Sequence, residues 1–105
     1  MGERDRASQT CAVAKAAVVS LTRSLAQAYG PGGVRVNAVS PGTTNTAMGR
    51  DVIESAAGRD RATRIPLRRF VTPPEVASTV VFLLSDAASG IVGQTVQVNG
   101  GELMT

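Results

Sequence analysis

Val34-Arg35-Val36-Asn37-Ala38-Val39, followed by Ser40-Pro41-Gly42, is the stretch on which the fold turns. Its first six residues are rich in β-branched side chains and free of breakers, which predicts a strand over Val34–Val39. Ser40-Pro41-Gly42 ends it, because proline has no N–H for a ladder and Pro-Gly favours a turn. Ahead of the strand, Gly30-Pro31-Gly32-Gly33 halts a helical pattern that starts at Ser8 or Thr10, either of which suits an N-cap, and runs to Tyr29. Along it Val13, Ala17, Leu21 and Leu25 recur every fourth residue on one face.

Downstream, Thr43 to Arg69 is more polar and reads as a mobile surface flap, with a helix between about Thr46 and Ala57 and a turn at Gly58. At Thr72-Pro73-Pro74-Glu75 the signals converge: Thr72 as cap, Pro73 in the first helical position, and Glu75 reaching back to complete a capping box. Val76, Ala77, Val80, Val81, Leu83 and Leu84 continue that helix to Ser85-Asp86. A last strand, Thr95-Val96-Gln97-Val98, lies between Gly93 and Asn99-Gly100-Gly101.

Helix, strand, flap, helix, strand is the rhythm of an α/β protein with a parallel sheet and crossover helices. Two short strands bury too little surface to offset their ordering entropy, and a parallel sheet needs both faces covered. The chain therefore reads as part of a larger layered domain whose missing portion lies at the beginning.

At 105 residues one small domain is the ceiling, and 43% hydrophobic against 18% charged residues argues against a disordered chain. The net charge of +3 is carried mostly by scattered arginines rather than a basic block, so nucleic acid is not an expected partner. Cys11 is the only cysteine and histidine is absent, which excludes an intrachain disulfide and any Cys/His metal cluster. The residues from Met1 to Thr10 are polar, without the apolar core of a signal peptide, and no apolar run is long enough for a membrane span. The expected setting is the cytoplasm, without a membrane partner.

Taken together, Ala14-Lys15-Ala16-Ala17, Leu21-Thr22-Arg23-Ser24-Leu25-Ala26, Val34 to Gly42 and Gly93-Gln94-Thr95-Val96-Gln97-Val98-Asn99-Gly100-Gly101 strongly resemble the short-chain dehydrogenase/reductase family. Pro66-Leu67-Arg68-Arg69 and Phe82 to Asp86 fit as well, so the resemblance extends from about Cys11 to Gly101. It implies a doubly wound, Rossmann-like domain of which this chain is the C-terminal portion only. The family's glycine-rich phosphate turn, its catalytic serine and its asparagine-rich segment belong to the portion before Met1.

The resemblance also assigns residues. The family's catalytic tyrosine and lysine stand at i and i+4, where one helical turn sets both on one face. Lys15 matches the lysine, which orients the nicotinamide ribose and lowers the tyrosine's pKa. Four places earlier, where the tyrosine belongs, this chain has Cys11. A thiol is shorter than a phenol by about the length of an aromatic ring and has a different pKa, so Cys11 is an occupant of the catalytic position rather than a working proton donor. Pro41-Gly42 matches the loop after the family's sixth strand, where the following backbone, Thr43 included, meets the nicotinamide carboxamide. Thr46 stands where a family hydroxyl touches the cofactor. Asn99 replaces the commoner acid before the two glycines. The implied cofactor is NAD or NADP, and without the glycine-rich turn these 105 residues alone should bind it weakly.

Each assignment has a plainer counterpart. Lys15 alone would be an exposed helix lysine. Cys11 would be a small buried hydrophobe. Thr46 would be a helix N-cap, a role compatible with cofactor contact. Arg59, Arg61, Arg64, Arg68 and Arg69 form either a phosphate-binding patch or the solvated surface of the flap, and the near absence of aromatic residues favours the latter. Two functions follow. One is an oxidoreductase by descent, moving hydride between NAD(P) and a small carbonyl or alcohol, inactive as this chain alone. The other is a non-catalytic remnant or interaction module using the family's homo-oligomer surfaces, here the stripe on Ala17, Leu21 and Leu25 and the strand Thr95–Val98.

Overall fold

A computed structural model describes residues 3–46 and 49–104, with side chains described from residue 9 onward. The elements run α1 (Glu3–Tyr29), β1 (Ala38–Pro41), α2 (Arg50–Ile53), α3 (Ala56–Thr63), α4 (Pro73–Leu84) and β2 (Thr95–Val98), with short 3-10 turns at Gly30–Gly32 and Asp86–Ala88. The chain forms two compact units, one from the residues through Ala38 with Ser89–Thr95, the other from Val39–Ala88 with the residues from Val96 onward.

In the first unit α1 starts earlier than expected. Neither Ser8 nor Thr10 is its N-cap; the helix passes through both from Glu3. The intervening residues hold no glycine or proline that would stop a helix. Its end falls as expected: Gly30-Pro31-Gly32 tightens into a 3-10 turn and Gly33 takes φ 84°, a left-handed conformation open to glycine. Thr22 is buried, and its hydroxyl is satisfied by donating to Val18 O at 2.7 Å. Ala26, also buried, is the Cβ that a side chain on Gly93 would meet at 3.3 Å.

The first strand differs from the expected Val34–Val39 by a shift toward Pro41. A ladder forms only where a second strand runs alongside. Ala38 N–H donates to Gln94 O and Gly42 N–H to Val98 O, both at 2.9 Å, so the partners advance together and the two-stranded sheet is parallel. Before Ala38 the connection passes to a side chain: Asn37 Nδ2 donates to Ile91 O at 2.8 Å and its Oδ1 accepts from Gln94 N–H at 3.0 Å. The last strand is Thr95–Val98, as expected.

In the second unit the polar stretch carries two short helices among its described residues. The single helix expected over Thr46–Ala57 is two, α2 and α3, divided at Glu54-Ser55. Ser55 is the N-cap of α3, its hydroxyl accepting from Gly58 N–H at 3.1 Å. Gly58 therefore sits inside a helix rather than in a turn, where a Cβ would collide with the carbonyls of Val52 and Ile53. Ile65, only 1% exposed, forms a core with Phe70, Val71, Leu83 and Ala88. The capping box at α4 is present: Thr72 N–H donates to Glu75 Oε1 at 2.9 Å, and Pro73 opens the helix. Among the described residues no helix is long and apolar enough to cross a membrane.

Candidate functional site

Cys11 and Lys15 both lie on α1 in the first unit, one turn apart, and both are exposed. The buried counterpart weighed for Cys11 is therefore overturned. Lys15, Thr22 and Ala26 fall on one stripe of the helix by their spacing. That stripe is core at Thr22 and Ala26 and open to solvent at Cys11 and Lys15. The thiol is not in a disulfide.

The other assigned residues share the segment leaving β1 in the second unit. Pro41 is exposed and closes the strand, where its missing N–H costs no ladder bond. Gly42 is required by packing within the chain: a Cβ there would lie 2.5 Å from Asn99 Cβ and 2.9 Å from Asn99 Cα. Thr43 N–H donates to Glu102 Oε2 at 3.4 Å. Thr44 bridges to Val71 in parallel register, with its hydroxyl donating to Gly42 O at 3.0 Å, and Asn45 N–H donates to Val71 O at 2.8 Å. Thr46 is exposed, and its hydroxyl accepts from Gly49 N–H at 3.2 Å. The N-cap of α2 is Gly49, so Thr46 fastens the turn ahead of that helix instead of capping it.

Sequence reasoning missed Glu102. Its Oε1 accepts from Arg61 Nε at 2.8 Å and also pairs with Arg61 Nη2. Partial burial pushes this carboxyl's pKa upward, but the Arg61 hydrogen bond and the Thr43 N–H outweigh it and hold the group below its ordinary value. The visible signal was the displaced acid: Asn99 stands before the glycine pair and the acid follows it as Glu102. Three of the flap arginines are engaged in ion pairs: Arg61 with Glu102, Arg64 with Asp60 at 3.1 Å, and Arg69 with Glu75 at 2.7 Å. A bare phosphate-binding patch is not what the arginines present.

Residues 5–102 match a family model described as enoyl-(acyl carrier protein) reductase, nearly the whole chain. The chain belongs to the short-chain dehydrogenase/reductase family. Within that family it is 48% identical over 91 residues to Protein FixR of Bradyrhizobium diazoefficiens, covering 87% of this chain and 31% of that protein. It is 42% identical over 87 residues to the NAD-dependent glycerol dehydrogenase of Listeria innocua, covering 83% and 34%. The crystal structure of a short-chain dehydrogenase/reductase, a glucose/ribitol dehydrogenase from Brucella melitensis, superposes with a TM-score of 0.78 at 43% identity, covering 87% of this chain and 36% of that one. The short-chain dehydrogenase/reductase described here thus spans about a third of the length of the curated relatives it matches.

Proposed function

We propose that these 105 residues are the C-terminal portion of a Rossmann-type domain in a cytoplasmic, homo-oligomeric oxidoreductase that moves hydride between NAD or NADP and a small carbonyl or alcohol, and that by themselves they do not turn over. Descent from the family supports the reaction class. The observation that carries the cofactor role is the pairing of β1 with β2, which holds Gly42 on Val98 and Thr43 on Glu102 and so gives the Pro41–Thr46 segment a defined shape.

The groups on that segment suit a nicotinamide. The Thr46 hydroxyl accepts one hydrogen bond and keeps its proton to donate, in an exposed position. Lys15, exposed on α1, suits a ribose hydroxyl. The cofactor, when bound, supplies or accepts the hydride. Cys11 does not suit the proton-transfer role, because a thiol in that helical position reaches less far than a phenol.

The exposed apolar face of α1 supports a second reading, a non-catalytic chain that acts by association. Val13 is 69% and Leu21 57% exposed, with Ala17 exposed beside them. NADH titration of the chain, followed at the backbone amides, separates the two. The oxidoreductase reading expects shifts at Lys15 and Gly42–Thr46 with a dissociation constant no tighter than about 1 mM, an affinity of only about 4 kcal/mol. Shifts absent from both places leave the association reading alone.

A further inference from the structure

Between two backbone anchors, Gly42 N–H on Val98 O and Asn45 N–H on Val71 O, the donor of Thr43 is held by a side chain, the carboxylate of Glu102. Its two oxygens hold different elements: Oε2 accepts from the loop at Thr43, and Oε1 accepts from Arg61 on α3. Glu102 is itself fixed at its base. Its N–H donates to Asn99 O at 3.1 Å, Gly101 N–H to Asn99 Oδ1 at 2.9 Å, and Asn99 Nδ2 to Leu103 O at 2.8 Å. Asn99, the hub of these bonds, is buried. The Glu102 side chain is 21% exposed against 55% for Arg61, so the carboxylate is the shielded partner of the pair.

We propose that Glu102 is a positioning residue, fixing the Thr43 backbone and with it the way the Pro41–Thr46 segment presents its groups to a nicotinamide. This rests on the reading of that segment as the nicotinamide seat. The bond is long, 3.4 Å, so the carboxylate holds the Thr43 N–H mainly through its charge and through its own fixed placement. Arg61, itself carried on a helix, keeps the carboxylate from rotating away.

The test is NADH titration of the full chain by backbone amide NMR at Gly42, Thr43, Thr44, Asn45 and Thr46, with melting temperature measured in parallel. Glu102→Ala should weaken the response about 3- to 10-fold, the loss expected for one hydrogen bond of ordinary strength. Glu102→Gln, which keeps an acceptor but loses the charge, should fall between. The double exchange Arg61→Glu with Glu102→Arg restores an ion pair but puts a donor-only side chain opposite Thr43 N–H. It should recover melting temperature without recovering NADH affinity. Unchanged amides along α4 verify folding, and if Glu102→Ala fails to fold, the Gln variant and the double exchange decide. A double exchange that recovers both properties, or an alanine variant that binds NADH as the wild type does, overturns the positioning role while the seat stands. A wild-type chain whose loop amides ignore NADH overturns the seat and the positioning role with it.

Discussion

Gly42 illustrates how a residue can be singled out for one reason and required for another. Its match to the family's nicotinamide loop motivated its assignment; the close approach present is to Asn99, within the chain. Gly42→Ala should therefore cost about 1–3 kcal/mol of stability by overpacking, whereas Gly30→Ala, whose added Cβ meets nothing within 4 Å, should change stability by less than about 1 kcal/mol. Denaturant melts of the two variants check this, and equal losses would contradict the packing role. Cys11, Lys15, Pro41, Gly42, Thr43 and Thr46 are candidates that the family resemblance assigns from short stretches of sequence. Glu102 is not among them, because its role depends on Thr43 and Arg61, both distant in sequence, and no local spacing encodes that meeting.

At the scale of elements, α4 is the part most fully written in local chemistry. Glu75 accepts from Arg69 at 2.7 and 2.9 Å and from Thr72 N–H at 2.9 Å. The Arg69 hydrogen bonds, then those of Thr72, pull its pKa from the ordinary 4.5 down to about 2. A carboxyl with a depressed folded-state pKa stabilises the fold fully above its unfolded value and loses that contribution as pH falls toward the folded one. The cap should thus be intact above pH 4.5 and weaken between 4.5 and about 2. A carboxyl NMR titration should find Glu75 near 2 in the wild type and closer to 4.5 in Arg69→Ala; a wild-type midpoint near 4.5 would contradict the assigned contacts. Elements whose signals are local, the ends of α4 and all of β2, were readable. Those governed by a distant partner were displaced: β1 begins where β2 runs beside it, not where β-branched residues begin, and the helix expected over Thr46–Ala57 divides where Ser55 caps a new one.

For the molecule as a whole, two observations bear on how it exists in solution. The two strands form the only sheet among the described residues, and large apolar side chains stand exposed in each unit, Val13 and Leu21 in the first, Val81 and Leu84 in the second. Unpaired strand edges and apolar faces promote association. The purified chain should self-associate or bind a hydrophobic dye, read by light scattering and dye fluorescence; a dye-silent monomer with one cooperative melt would contradict this. The proposed function makes its own prediction about chemistry. Proton donor, substrate-polarising serine and firmly held cofactor act as a unit, so restoring one leaves the rate negligible. The most direct measurement is nicotinamide absorbance with a panel of carbonyl and alcohol substrates, on the wild type, on Cys11→Tyr, and on Cys11→Tyr fused behind an N-terminal half from the family. Turnover in the fusion alone is the predicted result. Turnover above background in either unfused protein, or none in the fusion, would contradict the account.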